Sequence, residues 1–184
     1  MDFVTQYFEA TTEERVNLIF RHYDNFLDMV AAGIQEVIFI INEEIDYNRL
    51  RDSLEYTRTS SGTVSDPTYR KAVQRVSVEE AVKTCSFDND ALDGVEHRQA
   101  FIRRAYNLRK MQRDFEVVAD NIQALKQQDR DYLLPVLLNE KTIEEIAIES
   151  SVSYGTVATR ICRLKSYVRG NVSNLYTHNI TWLD

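Results

Sequence analysis

The chain has 184 residues, of which 43% are hydrophobic and 28% are charged, a balance typical of a folded globular protein rather than a disordered one. Its five glycines and two prolines are too few for the many turns of a β-sandwich, so long helices are favoured. The net charge of −7 would exclude a uniformly basic nucleic-acid binder, but the excess acid lies in residues 1–65, with 5 basic and 12 acidic side chains, whereas residues 66–184 hold 17 of each. Because charges are screened within roughly 8–10 Å, a nucleic-acid partner of the C-terminal part is not excluded.

Targeting signals are missing from the sequence. The N-terminus lacks the basic segment and apolar run of a signal peptide, and the longest apolar cluster, residues 37–41, is too short to cross a bilayer. Cys85 and Cys162 show neither disulfide nor metal-ligand spacing, which is typical of a reduced compartment. We therefore expect a cytoplasmic protein without membrane association.

The N-terminal third carries apolar residues at helical spacing from Val16 to Leu54. This pattern predicts two helices, or one long bent helix, from about residue 12 to 57, with Gly33 as a candidate break or kink. A loop is predicted near residues 58–66, after which Pro67 suits the first turn of a helix that runs to Thr84. Residues 87–93 read as a second connection, closed by Gly94.

Residues 95–127 form the longest periodic segment. Apolar residues recur there every seven positions in two complementary sets, Phe101, Leu108, Phe115 and Ile122, and Met111, Val118 and Leu125. The pattern predicts a helix about 50 Å long packed along a partner helix. We expect that partner in the same chain, because the N-terminal helices have apolar faces to cover; a second subunit, and hence a homodimer, is the alternative.

The same segment contains six basic and no acidic residues between positions 98 and 113. One interpretation is a ridge that binds phosphates. The other, which we favour, is a set of ion pairs with the acidic N-terminal helices, each worth under ~1 kcal/mol if exposed.

The C-terminal module starts after a predicted polar joint, Gln127 to Arg130. Thr142 and Glu145 have the spacing of a capping box, which predicts a short helix to about Glu149. Residues 150–152 then form a turn, and Ser153 caps a long helix that is predicted to reach about Arg169. Two helices joined by so short a turn are typical of a helix-turn-helix.

The second of these helices has two contrasting faces. Val157, Ile161, Leu164 and Val168 form an apolar stripe that should be buried. The opposite face presents hydroxyl and guanidinium groups suited to base edges and phosphates, and residues 153–170 contain four basic and no acidic side chains. Gly155 beside the cap would let the backbone approach a phosphate. The predicted DNA-binding residues are Ser153, Tyr154, Thr156, Thr159, Arg160, Arg163 and Lys165, with Ser153 and Lys165 on phosphates.

The stretches 145–147, 152–157, 160–161 and 163–165 resemble, in order, spacing and residue type, region 4 of sigma-70-type factors, which reads the −35 promoter element. The N-terminal 140 residues do not look like the promoter-melting region 2. With the stretch 61–68, Ser-Gly-Thr-Val-Ser-Asp-Pro-Thr, the chain is instead similar to the RinA/ArpU group of phage transcription regulators. The resemblance implies a phage or prophage regulator of a late operon that contacts host RNA polymerase. Ser151 departs from the pattern, because many helix-turn-helix units have glycine there, so its backbone must avoid left-handed geometry or tolerate strain.

The remaining residue types indicate no catalysis. His22, His97 and His178 are scattered without neighbours at metal-ligand spacing, and no phosphate-cradling glycine loop or nucleophile motif is present. We therefore expect neither an enzyme nor a cofactor or metal. The predicted fold is all-α, with a helical N-terminal domain over 1–127 and a helix-turn-helix domain over 128–184.

The predicted function is sequence-specific binding of double-stranded DNA to regulate transcription. The alternative is a protein-interaction factor acting on RNA polymerase or on another host or phage protein. In that case the helix-turn-helix would be a docking surface or a secondary DNA contact.

Overall fold

The computed structural model describes residues 2–55, 67–87 and 90–180. These residues form eight α-helices, a 3-10 helix and no β-strand, which confirms the predicted all-α fold. The helices are α1 (Phe3–Glu9), α2 (Thr12–Arg21), α3 (Phe26–Glu55), α4 (Pro67–Thr84), the 3-10 helix (Asp90–Leu92), α5 (Arg98–Gln123), α6 (Gln127–Leu137), α7 (Ile143–Ser150) and α8 (Tyr154–Ile180). The loop predicted near residues 58–66 lies outside the described residues.

The chain divides into two compact units, whose boundaries fall within α3 and α5. Unit 1 comprises residues 1–29 and 111–184, and unit 2 comprises residues 30–110. Unit 1 thus brings the first helices of the chain together with the last ones. The domain division predicted at residue 127 follows chain order rather than these contacts, and it stays a prediction.

Unit 1 is built around α8, which packs against α2, α6 and α7. Its aromatic core holds the fully buried Phe26, whose ring stacks on that of Phe115 with centroids 5.6 Å apart; Tyr23 lies 5.0 Å from the same ring. Such aromatic pairs contribute beyond the area that they bury.

A polar link crosses this core from α1 through α5 to α8. Asp114, only 5% exposed, accepts a hydrogen bond of 2.9 Å from the Tyr7 hydroxyl at Oδ2 and one from the Tyr176 hydroxyl at Oδ1. Burial, together with the Asp114 carboxylate, raises the pKa of both tyrosines, so both hydroxyls stay protonated and donate. The two donors satisfy a buried carboxylate that would otherwise be costly.

In unit 2, Gly33 lies within α3 and does not break it, so the predicted break was misplaced. A β-carbon there would lie 2.7 Å from Leu108 Cδ2 of α5, so glycine serves close helix packing. The helix break falls instead at residues 22–25.

One residue of the basic stretch 98–113 forms an ion pair with an N-terminal helix. Arg104 of α5 pairs with Glu36 of α3 at 2.9 Å, which for Arg104 confirms the ion-pair interpretation of the basic stretch.

The long helix α5 is shorter than its sequence period suggested. Leu108, Met111, Val118 and Ile122 are buried as predicted, and their packing is intramolecular. The predicted polar joint at Gln127 to Arg130 was wrong, because α6 begins at Gln127 and the connection is residues 124–126.

Candidate nucleic-acid interface

The capping box of α7 forms as predicted. The Thr142 hydroxyl accepts from the Glu145 backbone N–H at 3.2 Å, and the Glu145 carboxylate accepts from the Thr142 N–H at 2.7 Å. These contacts lower the pKa of the Glu145 carboxyl. The start of α7 is therefore fixed by two reciprocal hydrogen bonds.

The turn between α7 and α8 has the geometry of a Schellman C-cap. The N–H of Ser151 donates to the carbonyl of Ile148 at 3.2 Å, and that of Val152 donates to the carbonyl of Ala147 at 3.0 Å. Ser151 adopts φ 54° and ψ 35°, the left-handed region that favours glycine. The sequence left open whether the Ser151 backbone avoids left-handed geometry or tolerates its strain, and the structure shows the second.

Ser153 caps α8 as predicted. Its hydroxyl oxygen accepts from the Thr156 N–H at 3.2 Å and lies 2.8 Å from the Thr156 hydroxyl. The first turn of α8 is thereby fixed next to Gly155, which is exposed and has open space at its β-carbon position. The exposed N-terminus of a long helix carries partial positive charge.

The apolar stripe of α8 faces the protein. Val157 and Val168 are fully buried, Ile161 is nearly so, and Leu164 is half-buried. Ile146 and Ala147 supply the buried face of α7. The helix continues beyond the predicted end at Arg169 to Ile180, with Val172 extending the stripe. The solvent side of α8 is thus opposite a well-packed apolar face.

Five of the seven predicted site residues come together on that solvent side. They line an open concavity of about 630 Å³, whose walls are Ser153, Gly155, Thr156, Thr159, Arg160 and Arg163. Tyr154 projects at the start of the helix and is 58% exposed. The concavity therefore combines hydroxyl groups, an exposed glycine backbone and two guanidinium groups.

Arg160 is held in place by two residues of α6 that the sequence did not indicate. Its Nε and Nη2 donate to Asp129 Oδ1 at 3.1 and 2.8 Å, and its Cζ lies 4.3 Å from the centre of the Tyr132 ring. Because 31 residues separate Asp129 from Arg160, no local spacing could have revealed the pair. Arg163, in contrast, is exposed.

Lys165 lies toward α2 rather than in the wall of the concavity. Its Nζ is 5.8 Å from the centre of the Phe20 ring, and burial lowers the pKa of its ammonium group. The solvent side of α8 also presents Tyr167, which was not among the predicted site residues. Its side chain is 59% exposed, and it follows Arg163 by four residues, so the two share a helix face. That spacing was visible in the sequence.

The described residues offer neither a metal site nor a membrane-spanning helix. No group of three or more histidine, cysteine or acidic side chains among them is placed to hold a metal ion. No helix within 2–55, 67–87 or 90–180 combines the length and apolarity needed to cross a bilayer.

No protein family model, no curated protein and no solved structure matches this chain. The resemblance to sigma region 4 and to the RinA/ArpU group stays a prediction.

Proposed function

We propose that this protein binds double-stranded DNA through the N-terminal half of α8 and thereby regulates transcription. The observation that carries the proposal is the separation of the two faces of that helix. The apolar stripe faces the protein, while hydroxyl and guanidinium groups line an open concavity on the other side. In a helix-turn-helix, the second helix enters the major groove with its N-terminal residues against the base edges.

The roles of the residues follow from their chemistry. Ser153, Thr156 and the amides at the start of α8 suit phosphate oxygens. Thr159, Arg160 and Arg163 lie further along the concavity and suit base edges, for which arginine supplies a fork of donors. Tyr154 would contact the DNA at the flank, and Lys165 would bind a phosphate only after its ammonium group turns away from Phe20.

The setting that we propose follows the sequence resemblance. It is a phage or prophage regulator of a late operon, acting in the bacterial cytoplasm at the nucleoid and contacting host RNA polymerase. Selection of bound sequences from a random DNA pool would give its operator. A symmetric consensus with half-sites about one helical turn apart would indicate a homodimer.

The test of DNA binding is a titration of random duplex DNA at several salt concentrations. The wild-type chain should bind with an affinity that falls steeply as salt rises, because bound phosphates release counterions. Arg163→Ala should weaken binding, because it removes a positive charge from the wall of the concavity; a fall of about one in the slope of log affinity against log salt would reassign Arg163 from a base edge to a phosphate. Arg21→Ala, which removes an exposed arginine of α2, is the matched control and should change neither. Absence of binding at low salt would overturn the proposal.

A second candidate function is protein interaction, and one exposed side chain favours it. Ile148 on α7 is 72% exposed and lies beside the helix-turn-helix turn. A protein partner such as RNA polymerase would cover it. Ile148→Glu should then abolish association with polymerase in a pull-down while leaving DNA affinity within a few-fold, whereas unchanged association would reject this role.

A further inference from the structure

Of the two arginines that line the concavity, Arg160 has the more constrained side chain. Asp129 and Tyr132 lie three residues apart on α6, and therefore on one helix face. The carboxylate binds the guanidinium edge, and the ring lies against its plane, with 4.3 Å from Cζ to the ring centre. The guanidinium is thus fixed in both position and orientation, although its side chain is 37% exposed.

Counting donors shows what remains available to a ligand. A guanidinium has five N–H groups, and Asp129 takes the one on Nε and one of the two on Nη2. Both N–H groups of Nη1 and the second of Nη2 remain. Of these, the second N–H of Nη2 and the neighbouring N–H of Nη1 form the end edge of the group, two parallel donors that match the O6 and N7 acceptors of guanine in the major groove.

We infer that Asp129 and Tyr132 are positioning residues that preset Arg160 to read a guanine base. The inference rests on the proposed DNA binding and goes further, because it names the base and the residues that impose the choice. A phosphate is a poorer ligand for this group, since Asp129 already compensates its positive charge. Binding to a base edge depends mainly on the direction of the hydrogen bonds. Its affinity is therefore little reduced by the compensated charge and is increased by the fixed geometry of the donors.

The variant Asp129→Asn separates a positioning role of Asp129 from a purely electrostatic one, because only positioning predicts a lower ratio of specific to random binding. Asp129→Asn removes a negative charge from the interface, so affinity for random DNA at low salt should rise or stay unchanged. If Asp129 orients Arg160, the ratio of specific to random binding should nevertheless fall, by about 3- to 10-fold, a part of the discrimination that a bidentate pair supplies. Asp131→Asn is the matched control, because Asp131 lies on the same helix and binds Gln127 at 2.7 Å; it should leave the ratio unchanged.

The decisive experiment changes the DNA rather than the protein. Duplexes selected from a random pool are remade with 7-deazaguanine at each guanine in turn, which removes the N7 acceptor and keeps base pairing. For the wild-type chain, one such position should weaken binding by about 5-fold or more, the lower end of the range for a bidentate arginine contact, because O6 still accepts one hydrogen bond. Arg160→Lys, which keeps the charge but loses the fork, should bind the two duplexes equally.

Failure of DNA binding and failure of guanine reading give different results. If the wild-type chain binds no duplex at low salt, the proposed function and this inference both fail. If it binds specifically, but no guanine position depends on Arg160, the inference alone is overturned. The inference is also overturned if Asp129→Asn leaves the specificity ratio unchanged and lowers only the midpoint of urea unfolding, because Asp129 would then merely tie α6 to α8.

Discussion

Ser151 holds the turn between α7 and α8 in a conformation that suits glycine better than serine. Its φ of 54° lies in the left-handed region, which costs a residue with a β-carbon roughly 1–2 kcal/mol, partly offset by the greater freedom of glycine in the unfolded chain. We predict that Ser151→Gly raises the free energy of unfolding by about 0.5–1 kcal/mol, measured by urea denaturation. Ser166→Gly, at an exposed position inside α8, should instead lower it by about 0.5 kcal/mol. Equal effects of the two changes would contradict strain at Ser151.

At the scale of single residues, the sequence was informative where partners are close in the chain. The caps at Thr142 and Ser153 were predictable because each acts within four residues. The contacts of Arg160 with Asp129 and of Tyr7 with Asp114 were not, because they depend on how the helices pack. Five of the predicted DNA-binding residues therefore line the concavity, but the orientation of the Arg160 guanidinium could not be predicted.

Helix α7 depends strongly on its first turn, because it has only eight residues and short helices are marginal on their own. We predict that Thr142→Ala destabilises unit 1 by about 0.5–2 kcal/mol and weakens DNA binding, since a frayed α7 no longer supports α8. Thr142→Ser retains the hydroxyl and should stay near wild type in both thermal unfolding and DNA affinity. A loss of DNA binding without any loss of stability would contradict this prediction.

The Glu145 half of the capping box gives a pH dependence of known sign. Contacts with Thr142 lower the pKa of Glu145 in the folded chain, so its contribution to stability is present above the unfolded value near 4.5 and is lost as pH falls through the folded value. We predict that the wild-type chain loses more stability than Glu145→Gln between pH 6 and pH 3, followed by urea midpoints. Parallel curves for the two proteins would rule out this role of the carboxylate.

Helix existence was easier to predict than helix boundaries. The pattern gave α4 its observed bounds, because Pro67 marks its start, and it gave the buried stripe of α8. It placed a break at Gly33, since a glycine that relieves crowding between helices and one that ends a helix look alike in sequence. The end of α8 at Ile180, beyond Gly170, shows the same ambiguity.

At the scale of the whole molecule, the association of the first and last helices in unit 1 was not evident from the sequence. Periodicity shows that a helix has an apolar face, but not which face covers it. In unit 1, hydrogen bonds join three helices that are far apart in the chain: the Asp114 carboxylate of α5 accepts from the Tyr7 hydroxyl of α1 and from the Tyr176 hydroxyl of α8. A change at this link should therefore be felt as loss of the tertiary packing of unit 1 rather than of any one helix.

The tyrosines of this link predict a loss of stability in alkali. Their pKa values are raised by burial and by Asp114, so above the ordinary value of about 10 the unfolded chain releases protons that the folded chain keeps. Stability should be fully present below pH 10 and should fall as pH rises above it. We predict that Tyr7→Phe destabilises the chain by about 1–3 kcal/mol at neutral pH, because Asp114 loses a donor, and that it also flattens the decline between pH 9 and pH 11.

The matched control for Tyr7→Phe is Tyr167→Phe, which removes a hydroxyl from a side chain that is 59% exposed on α8. It should leave both the neutral stability and the alkaline slope close to those of the wild-type chain, as followed by chemical denaturation at each pH. A Tyr7→Phe chain that is as alkali-sensitive as the wild type would show that other groups govern the transition. In that case, titration of the Tyr7 hydroxyl would not contribute to the loss of stability in alkali.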